Sequence, residues 1–88
     1  MKLNENFVLK TVAGASVVMP VGEAVSKING MIKLNASAKF IWELLENGKT
    51  ENEILEEMKN NFDADESILQ NDLKAFLKLL SEKGILVD

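Results

Sequence analysis

The side chains in this sequence that could do chemistry are hydroxyls, lysine amines and carboxylates. The 88 residues contain no His, Cys, Tyr or Arg, so all ten basic residues are Lys. Without His the chain lacks the usual general base near neutral pH, and without Cys it can form neither disulfides nor thiolate metal sites. Because the remaining groups show no pattern of a buried, paired set, we expect no catalytic site and no cofactor.

Two kinds of ligand-binding loop are excluded by the spacing of the residues. Asp63 and Asp65 alternate as in the opening of a calcium loop, but Ile68 occupies the position that needs Gly. Lys74 occupies the position of the bidentate Glu, so we interpret Asp65 as a helix N-cap instead. The five Gly residues stand singly at predicted turns and helix ends, which excludes a glycine-rich phosphate loop.

The charge of the chain is unevenly distributed. Residues 1–34 contain four Lys and two Glu, whereas residues 35–88 contain six Lys and twelve acidic residues, which together give the net charge of −4. Proteins that bind nucleic acids normally present a basic surface. The acidic second part of the chain therefore argues against DNA or RNA as the main partner.

The first part of the sequence has the composition and turn signals of a small antiparallel sheet. Phe7–Val12 and Ser16–Met19 are rich in β-forming residues, and Ala13-Gly14 between them is a turn signal. Met31–Leu34 has the length and composition of a third strand, and we expect Val21–Asn29 to be a mobile loop. These stretches predict a three-stranded meander.

The rest of the sequence has the apolar period and the end signals of three helices. Asn35 is a preferred N-cap for the first helix, and Thr50 and Glu53 can form a capping box at the start of the second. We expect Gly84 to end the third helix in a Schellman motif, with Ile85 folding back on it. The helices are predicted to run from Ala36 to Glu46, from the Thr50 cap to about Phe62, and from about Glu66 to Lys83.

Helical periodicity identifies the expected core. Trp42, the only tryptophan, lies on the apolar face of the first helix, and we expect it at the centre of the core. On the third helix, the period places two rows of residues side by side. The first row is expected to be core and comprises Leu69, Leu73, Phe76 and Leu80. The second row widens the apolar face and comprises Ile68, Asp72, Ala75 and Leu79.

These elements together predict an α+β fold, in which a small three-stranded antiparallel β-meander precedes a three-helix bundle. The length suits a single domain over residues 1–88, with strands within residues 7–34 and helices within residues 36–83. The N-terminus lacks the apolar region of a signal peptide, and no stretch approaches the ~20 apolar residues that cross a bilayer. We therefore expect a cytoplasmic protein without a membrane partner.

Three stretches of the sequence carry the pattern of a known family. They are Val12-Ala13-Gly14, the segment Leu34–Leu45 with its pattern Leu-Asn-x-x-Ala-x-x-Ile-Trp-Glu-Leu-Leu, and the closing segment Leu77–Leu86. With these stretches the chain resembles the coenzyme PQQ synthesis protein D (PqqD) family over essentially its whole length. The central stretch is the most specific of the three, because it combines a cap, a small residue and Trp-Glu in one register.

The resemblance implies a winged helix-turn-helix-like fold with no activity of its own. Such proteins are recognition elements for ribosomally synthesised and post-translationally modified peptides (RiPPs). They bind the leader segment of a precursor peptide and present it to a modifying enzyme, often a radical S-adenosylmethionine (SAM) protein. By this resemblance, the chain is a non-catalytic adaptor in peptide natural product or PQQ-like biosynthesis, and the leader adds as a strand beside the third strand, toward the third helix.

This resemblance places the expected peptide site between the third strand and the second row of the third helix. An exposed edge strand can pair with an extended peptide, and Asp72 could meet a leader amide or cation. Lys74 and Lys78, together with Lys33, are candidates for an electrostatic rim, in a chain that lacks the Arg of many relatives. The alternative for Ile68 and Leu79 is that they complete the core. The expected peptide-binding residues are Met31, Ile32, Lys33, Leu34, Ile68, Asp72, Ala75 and Leu79.

Two functions of other classes remain open from the sequence. A winged-helix DNA-binding regulator would place the third helix in a major groove, but residues 65–83 carry three Lys against four acidic residues. A dimerisation or scaffold module would use the same apolar surface, and an unpaired edge strand could form a homodimer. The sequence does not identify the precursor peptide, the modifying enzyme and its chemistry, or whether PQQ is the product.

Overall fold

The computed structural model describes residues 1–22 and 31–87. Apart from its first two residues, the predicted loop Val21–Asn29 lies outside the described residues. The strands and helices are, in chain order, β1 (Lys2–Leu3), β2 (Phe7–Val12), β3 (Ala15–Pro20), β4 (Ile32–Leu34), α1 (Ala36–Glu46), α2 (Glu51–Asn61), α3 (Glu66–Glu82) and β5 (Leu86–Val87).

The predicted meander is confirmed as an antiparallel sheet with the order β2-β3-β4. Ala13 and Gly14 form the turn between β2 and β3 with positive φ at both residues (51° and 81°), a turn whose twist suits a hairpin. β4 is short and pairs with Ser16–Val18 of β3. The strand bounds differ slightly from the prediction, because β3 extends through Pro20 and β4 begins at Ile32.

The predicted caps of the first two helices are confirmed. Asn35 Oδ1 accepts a hydrogen bond from the Ala38 amide at 2.8 Å. In the capping box, Thr50 Oγ1 accepts from the Glu53 amide at 3.2 Å, and Glu53 Oε1 accepts from the Thr50 amide at 2.9 Å. These bonds satisfy amides that have no partner inside their helices.

The ends of α3 follow the prediction in part. Asp65 occupies the N-cap position, but the prediction that its side chain caps the helix is wrong, since only its backbone carbonyl accepts from the first turn. The C-terminal prediction is confirmed. Gly84 has a φ of 72° and its amide donates to the Ser81 carbonyl at 3.1 Å, while the Ile85 amide donates to the Leu80 carbonyl at 2.9 Å.

A second, two-stranded sheet joins the two ends of the chain and was not predicted. β1 pairs antiparallel with β5, so that Leu3 lies opposite Leu86. The Asn4 amide donates to the Ile85 carbonyl at 2.7 Å, and Asn4 Nδ2 donates to the Gly84 carbonyl at 3.1 Å. Strands of two residues are too short to show a period in a sequence, which is why the sequence did not predict this sheet.

The core lies between the sheet and the three helices. Trp42 is 1% exposed, which confirms its predicted position. On α3, Leu69, Leu73 and Leu80 are buried as predicted, whereas Phe76 is only half-buried and packs against the core. Leu77, which the prediction did not assign to the core, is buried. Since α3 packs against α2 as well as β5, its buried arc extends to the side of Leu77. The main cluster comprises Phe7, Val18, Leu34, Ile41, Trp42, Leu45, Ile54, Met58, Leu69, Leu73, Leu77, Leu80, Ile85 and Leu86.

Candidate functional site

Strand β4 lies at the edge of the three-stranded sheet and has one edge that is unpaired among the described residues. Within residues 1–22 and 31–87, β4 is hydrogen-bonded to β3 on one side and to no strand on the other. Leu34 is buried, Ile32 is half-buried and Lys33 is exposed. Met31, which directly precedes the strand, is 56% exposed. Within the described ranges, the main chain of this edge therefore has no strand partner and could pair with an extended segment.

The two faces of β4 differ in character. Leu34 belongs to the core cluster and Ile32 packs against it, so these two side chains face the helices. Lys33 lies between them and faces the outer side of the sheet, because successive strand residues alternate. On that outer side Lys33 is opposite Val17, which is in turn opposite Lys10 of β2. The helix-facing side of this strand is thus apolar, whereas the other side presents Lys33 next to Val17, which is itself buried at 6% exposed.

A cavity of about 220 Å³ lies between the first turns of α1 and the middle of α3. Ala38 and Ile41 of α1 and Ala75 and Phe76 of α3 provide its apolar lining. Asn35 also lines it, and because Asn35 directly follows β4, the cavity lies at the end of the unpaired edge. The remaining lining residues are Ser37 and Asp72.

The second row of α3 is exposed along its length. Ile68 is 51% exposed and Leu79 is 38% exposed, so neither residue completes the core. Asp72 and Ala75 are also exposed, and both line the cavity. Ile68 and Leu79 do not line it and lie about one helical turn beyond, at the two ends of the row. The predicted peptide site did not include Phe76, since its position in the apolar period was interpreted as core. It also did not include the lining residues at the start of α1, which are Asn35, Ser37, Ala38 and Ile41.

Among the described residues, Asp72 is the only charged one that lines this cavity. It makes no ion pair within the part of the chain that the structure describes. The start of α1 is nearby, but its capping interactions are already made: Asn35 Oδ1 accepts from the Ala38 amide at 2.8 Å and from Ser37 Oγ at 3.0 Å. The cavity therefore combines apolar walls with one unpaired carboxylate.

Lys74 and Lys78, the two lysines of α3, differ in how they lie around the helix from this cavity. Neither residue lines it, and the Lys74 ammonium lies 3.6 Å from Glu51 Oε2 of α2. Helical geometry puts Lys74 about 200° around α3 from Asp72. Sequence reasoning missed this arrangement because it considered α3 without α2. We therefore leave Lys74 out of the proposed peptide site, whereas Lys78 lies only about 60° around α3 from Ala75 and stays a predicted rim residue.

The α2 side of the molecule is dominated by ion pairs and capping interactions. Lys59 Nζ lies 2.9 Å from Glu66 Oε1 of α3 and 3.4 Å from Glu56 Oε1 of its own helix. The hydrogen bonds to Glu66 and Glu56 raise the pKa of the Lys59 ammonium. The hydrogen bond from the Thr50 amide lowers the pKa of Glu53 below its usual range. These groups are occupied within the chain.

A second cavity, of about 370 Å³, lies where the N-terminal segment meets α1. Its lining includes Trp42 and charged residues of both signs, such as Lys2 and Glu5. The indole Nε1 of Trp42 is buried, and no acceptor for it lies within the described ranges. None of the residues predicted for the peptide site lies in this second cavity.

Two other kinds of site are not found in the described residues. Residues 1–22 and 31–87 contain no group of three or more carboxylates that could hold a metal ion. Over these same ranges, none of the helices combines the length and the apolar character needed to cross a bilayer.

Two solved structures resemble this fold closely. One is "TbiB1 in Complex with the TbiA(beta) Leader Peptide", which is 25% identical in sequence and superimposes with a TM-score of 0.80 over 100% of both chains. The other is "Lasso peptide synthetase B1 complexed with the leader peptide", which has a TM-score of 0.79 over 99% of this chain and 96% of that one. Its 16% identity supports the fold alone.

The sequence itself assigns the family. No curated protein matches this sequence significantly. Residues 7–86, however, match the family described as coenzyme PQQ synthesis protein D (PqqD), and this match runs from the start of β2 into β5. It thus includes the unpaired edge, the cavity beside it and all three helices. The chain belongs to the PqqD family.

Proposed function

We propose that this chain is a peptide-binding adaptor in RiPP biosynthesis, which binds the leader segment of a precursor peptide as an added strand on β4. The observation that carries the proposal is the unpaired edge of β4 beside the cavity between α1 and α3. This edge occurs in a PqqD-family fold that closely resembles TbiB1, whose structure was solved with a leader peptide.

Strand addition suits the geometry of the edge. The main chain of an extended peptide can hydrogen-bond to the free amides and carbonyls of β4, which supplies affinity for many sequences. Alternate side chains of that peptide would then face the helices, where Ala75 and Phe76 line the cavity. β2 is the other edge of the sheet, but the cavity between α1 and α3 adjoins β4. This supports the β4 edge as the peptide site.

The exposed apolar residues of α3 extend the proposed site along the peptide. Ile68 and Leu79 lie at opposite ends of the row, three helical turns apart, and both are more than one-third exposed. Three turns of helix span about 16 Å, which matches about five residues of an extended strand. Burial of these side chains against a peptide would contribute through removal of apolar area from water.

The proposed role needs no catalytic group in this chain. A bound leader holds its precursor near a modifying enzyme, so the adaptor would raise the effective concentration of the substrate and fix its register. We propose a radical SAM maturase as the modifying enzyme and peptide natural product or PQQ-like biosynthesis as the pathway, on family grounds. DNA binding is less well supported by α3, because this helix contains only two Lys residues and one of them is paired with Glu51.

An amide NMR titration tests the proposal. The probe is a synthetic peptide with the sequence of the leader segment of the precursor encoded beside the gene for this chain. We expect saturable shifts at Met31–Leu34 and along Ile68, Asp72, Ala75 and Leu79. We also expect Ile68→Lys and Leu79→Lys to weaken binding about tenfold each, since each change removes apolar contact and places a charge in the groove.

Val87→Lys is the matched control. Val87 is 43% exposed in β5 and lies outside the three-stranded sheet, so its replacement should leave the affinity unchanged. Shifts that concentrate on β2, or equal losses in all three variants, would contradict the β4 site. The absence of shifts at a high peptide concentration would contradict the adaptor function for that precursor. DNA binding and self-association would then be the functions to test next.

A further inference from the structure

We infer that this groove selects peptides by charge on both faces of the bound strand. The class of leader that it accepts is an extended segment with an acidic side chain opposite Lys33 and a neutral or cationic side chain over Asp72. This inference rests on the proposed function, because it requires a peptide strand on β4. It specifies the chemistry of the partner, which the proposed function leaves open.

The outer face of the sheet sets the first preference. Residues that lie directly opposite in paired strands point to the same face. A peptide residue opposite Lys33 therefore points outward, where Lys33, Val17 and Lys10 form a row across the sheet. Lys33 has no ion-pair partner within the described ranges. An acidic peptide side chain at this position completes a cross-strand pair, whereas a basic one faces a like charge.

The helix side of the strand sets the second preference. Peptide side chains on this face lie beside Leu34 and over the cavity, where Asp72 is the only charged lining residue in the part of the chain that the structure describes. An acidic side chain there would meet an unpaired carboxylate in partly apolar surroundings, where like charges repel more strongly than in water. The positive end of α1 offsets only about half a charge, and the Asn35 side chain already accepts from its Ala38 amide.

Strand geometry links the two preferences. Side chains alternate between the faces of a strand, so the residue that senses Lys33 and the residue that senses Asp72 point in opposite directions. The numbers of the two positions in the peptide sequence must therefore differ by an odd number, such as one or three. This parity follows from strand addition on β4 and holds for either direction of the peptide.

The test is a display selection with random peptides of about 12 residues, a length that exceeds the reach of β4. The target is the full 88-residue chain, at low salt because exposed charge pairs are screened at high salt. Each position of an enriched peptide is then replaced by Asp and by Lys, and the affinities are measured for the original chain and for two variants, Lys33→Glu and Asp72→Asn.

The expected response is specific to position. Lys33→Glu should reverse the preference at one peptide position from acidic to basic, by about two- to fivefold, as for an exposed pair. Asp72→Asn should relieve the penalty for Asp at one other position by about five- to tenfold, because that position is partly shielded from water. The two responsive positions should lie an odd number of residues apart.

Two variants control for net charge alone. Lys74→Glu matches Lys33→Glu but changes a residue that faces α2, and Asp63→Asn matches Asp72→Asn at an exposed residue before α3. Neither should alter the preference at any position. Trp42 fluorescence and circular dichroism establish that all four variants fold.

The outcomes separate the inference from the proposed function. Peptides that bind with responsive positions at an even spacing, or with preferences that Lys33→Glu and Asp72→Asn leave unchanged, would overturn the charge selection while strand addition stands. Failure of the original chain to enrich any peptide would count against the proposed function itself. Equal responses in the Lys74 and Asp63 controls would reduce the effect to net charge and also overturn the inference.

Discussion

The two sides of α3 differ in whether their side chains find partners among the described residues of the chain. On the α2 side, Lys74 lies 3.6 Å from Glu51 and Glu66 lies 2.9 Å from Lys59. On the opposite side, Ile68 is 51% exposed and Asp72 has no ion-pair partner among the described residues. We call these the paired side and the open side of α3.

This difference separates stability from binding on a single helix. The paired side is closed by interactions within the chain, so changes there should alter the free energy of unfolding and leave peptide binding intact. The open side leaves apolar groups and a carboxylate exposed, so changes there should alter binding with little effect on stability. Both sides depend on the core beneath them.

The largest effect should come from Trp42→Ala, which removes support from both sides at once. Trp42 is 1% exposed, and its loss should lower the free energy of unfolding by about 3–5 kcal/mol. That is a large part of the stability of a small domain, so peptide binding should fall with it. Urea unfolding followed by circular dichroism measures the change. Trp42→Phe should retain more stability, and a loss below about 1 kcal/mol for the alanine variant would place the centre of the core elsewhere.

Ala75→Phe should weaken peptide binding at the open side of α3 and leave the stability of the chain nearly unchanged. Ala75 is exposed and lines the cavity between α1 and α3, so a larger side chain there can fill the space that we propose for the peptide without entering the core. We expect the affinity for a leader peptide to fall about tenfold, measured by isothermal calorimetry, with stability changed by less than about 0.5 kcal/mol. Ala64→Phe, at an exposed residue before α3, should leave the affinity unchanged. Equal losses in both variants would argue against the cavity.

Thr50→Ala should weaken α2, the helix that packs against the paired side of α3, without affecting the open side. It removes the hydroxyl that accepts from the Glu53 amide, and loss of such an N-cap costs about 1 kcal/mol. We expect this loss in urea unfolding, with an unchanged affinity for the peptide once the fraction folded is taken into account. A Thr50→Ser variant should recover most of the stability. A large loss of affinity in the folded alanine variant would mean that the two sides are coupled.

The same capping box should make the free energy of unfolding depend on pH. Because the hydrogen bond from the Thr50 amide lowers the pKa of Glu53, the ionised form is favoured in the folded chain. This contribution is complete above the usual Glu pKa of about 4.3 and is lost as pH falls through the lower folded value. The stability difference between the original chain and Glu53→Ala should therefore narrow in acid. A difference that stays constant from neutral pH to about pH 3 would contradict this assignment.

Most of the fold could be predicted because it is determined by local signals. The Asn35 cap, the Thr50 and Glu53 capping box and the Gly84 end each act over a few residues, and all three are confirmed. The pairing of Leu3 with Leu86 was not predicted, since it joins the two ends of the chain through two-residue strands. Asp65 shows a further limit: its residue type fits a cap, but its side chain makes no capping bond.

The candidate site could be predicted only in outline. Helical period identified the row that contains Asp72 and Ala75, because both residues share one face of α3. The period could not show that Phe76 lines the cavity, since that depends on where α1 crosses α3. The partner of Lys74 could not be predicted either, because Glu51 belongs to a different helix and their contact depends on the packing of α2.

Lys74→Gln should give the smallest effect and the sharpest test of the division between the two sides. Its ammonium is exposed and 3.6 Å from Glu51, so loss of the pair should change the free energy of unfolding by less than about 0.5 kcal/mol. Peptide affinity at low salt should stay the same, because Lys74 lies about 200° around α3 from Asp72. Lys33→Gln, the matched loss of one positive charge, should change the affinity for a leader that carries an acidic residue opposite it. If Lys74→Gln weakened binding as much as Lys33→Gln, the peptide would contact the paired side of α3, and the division of this helix would be wrong.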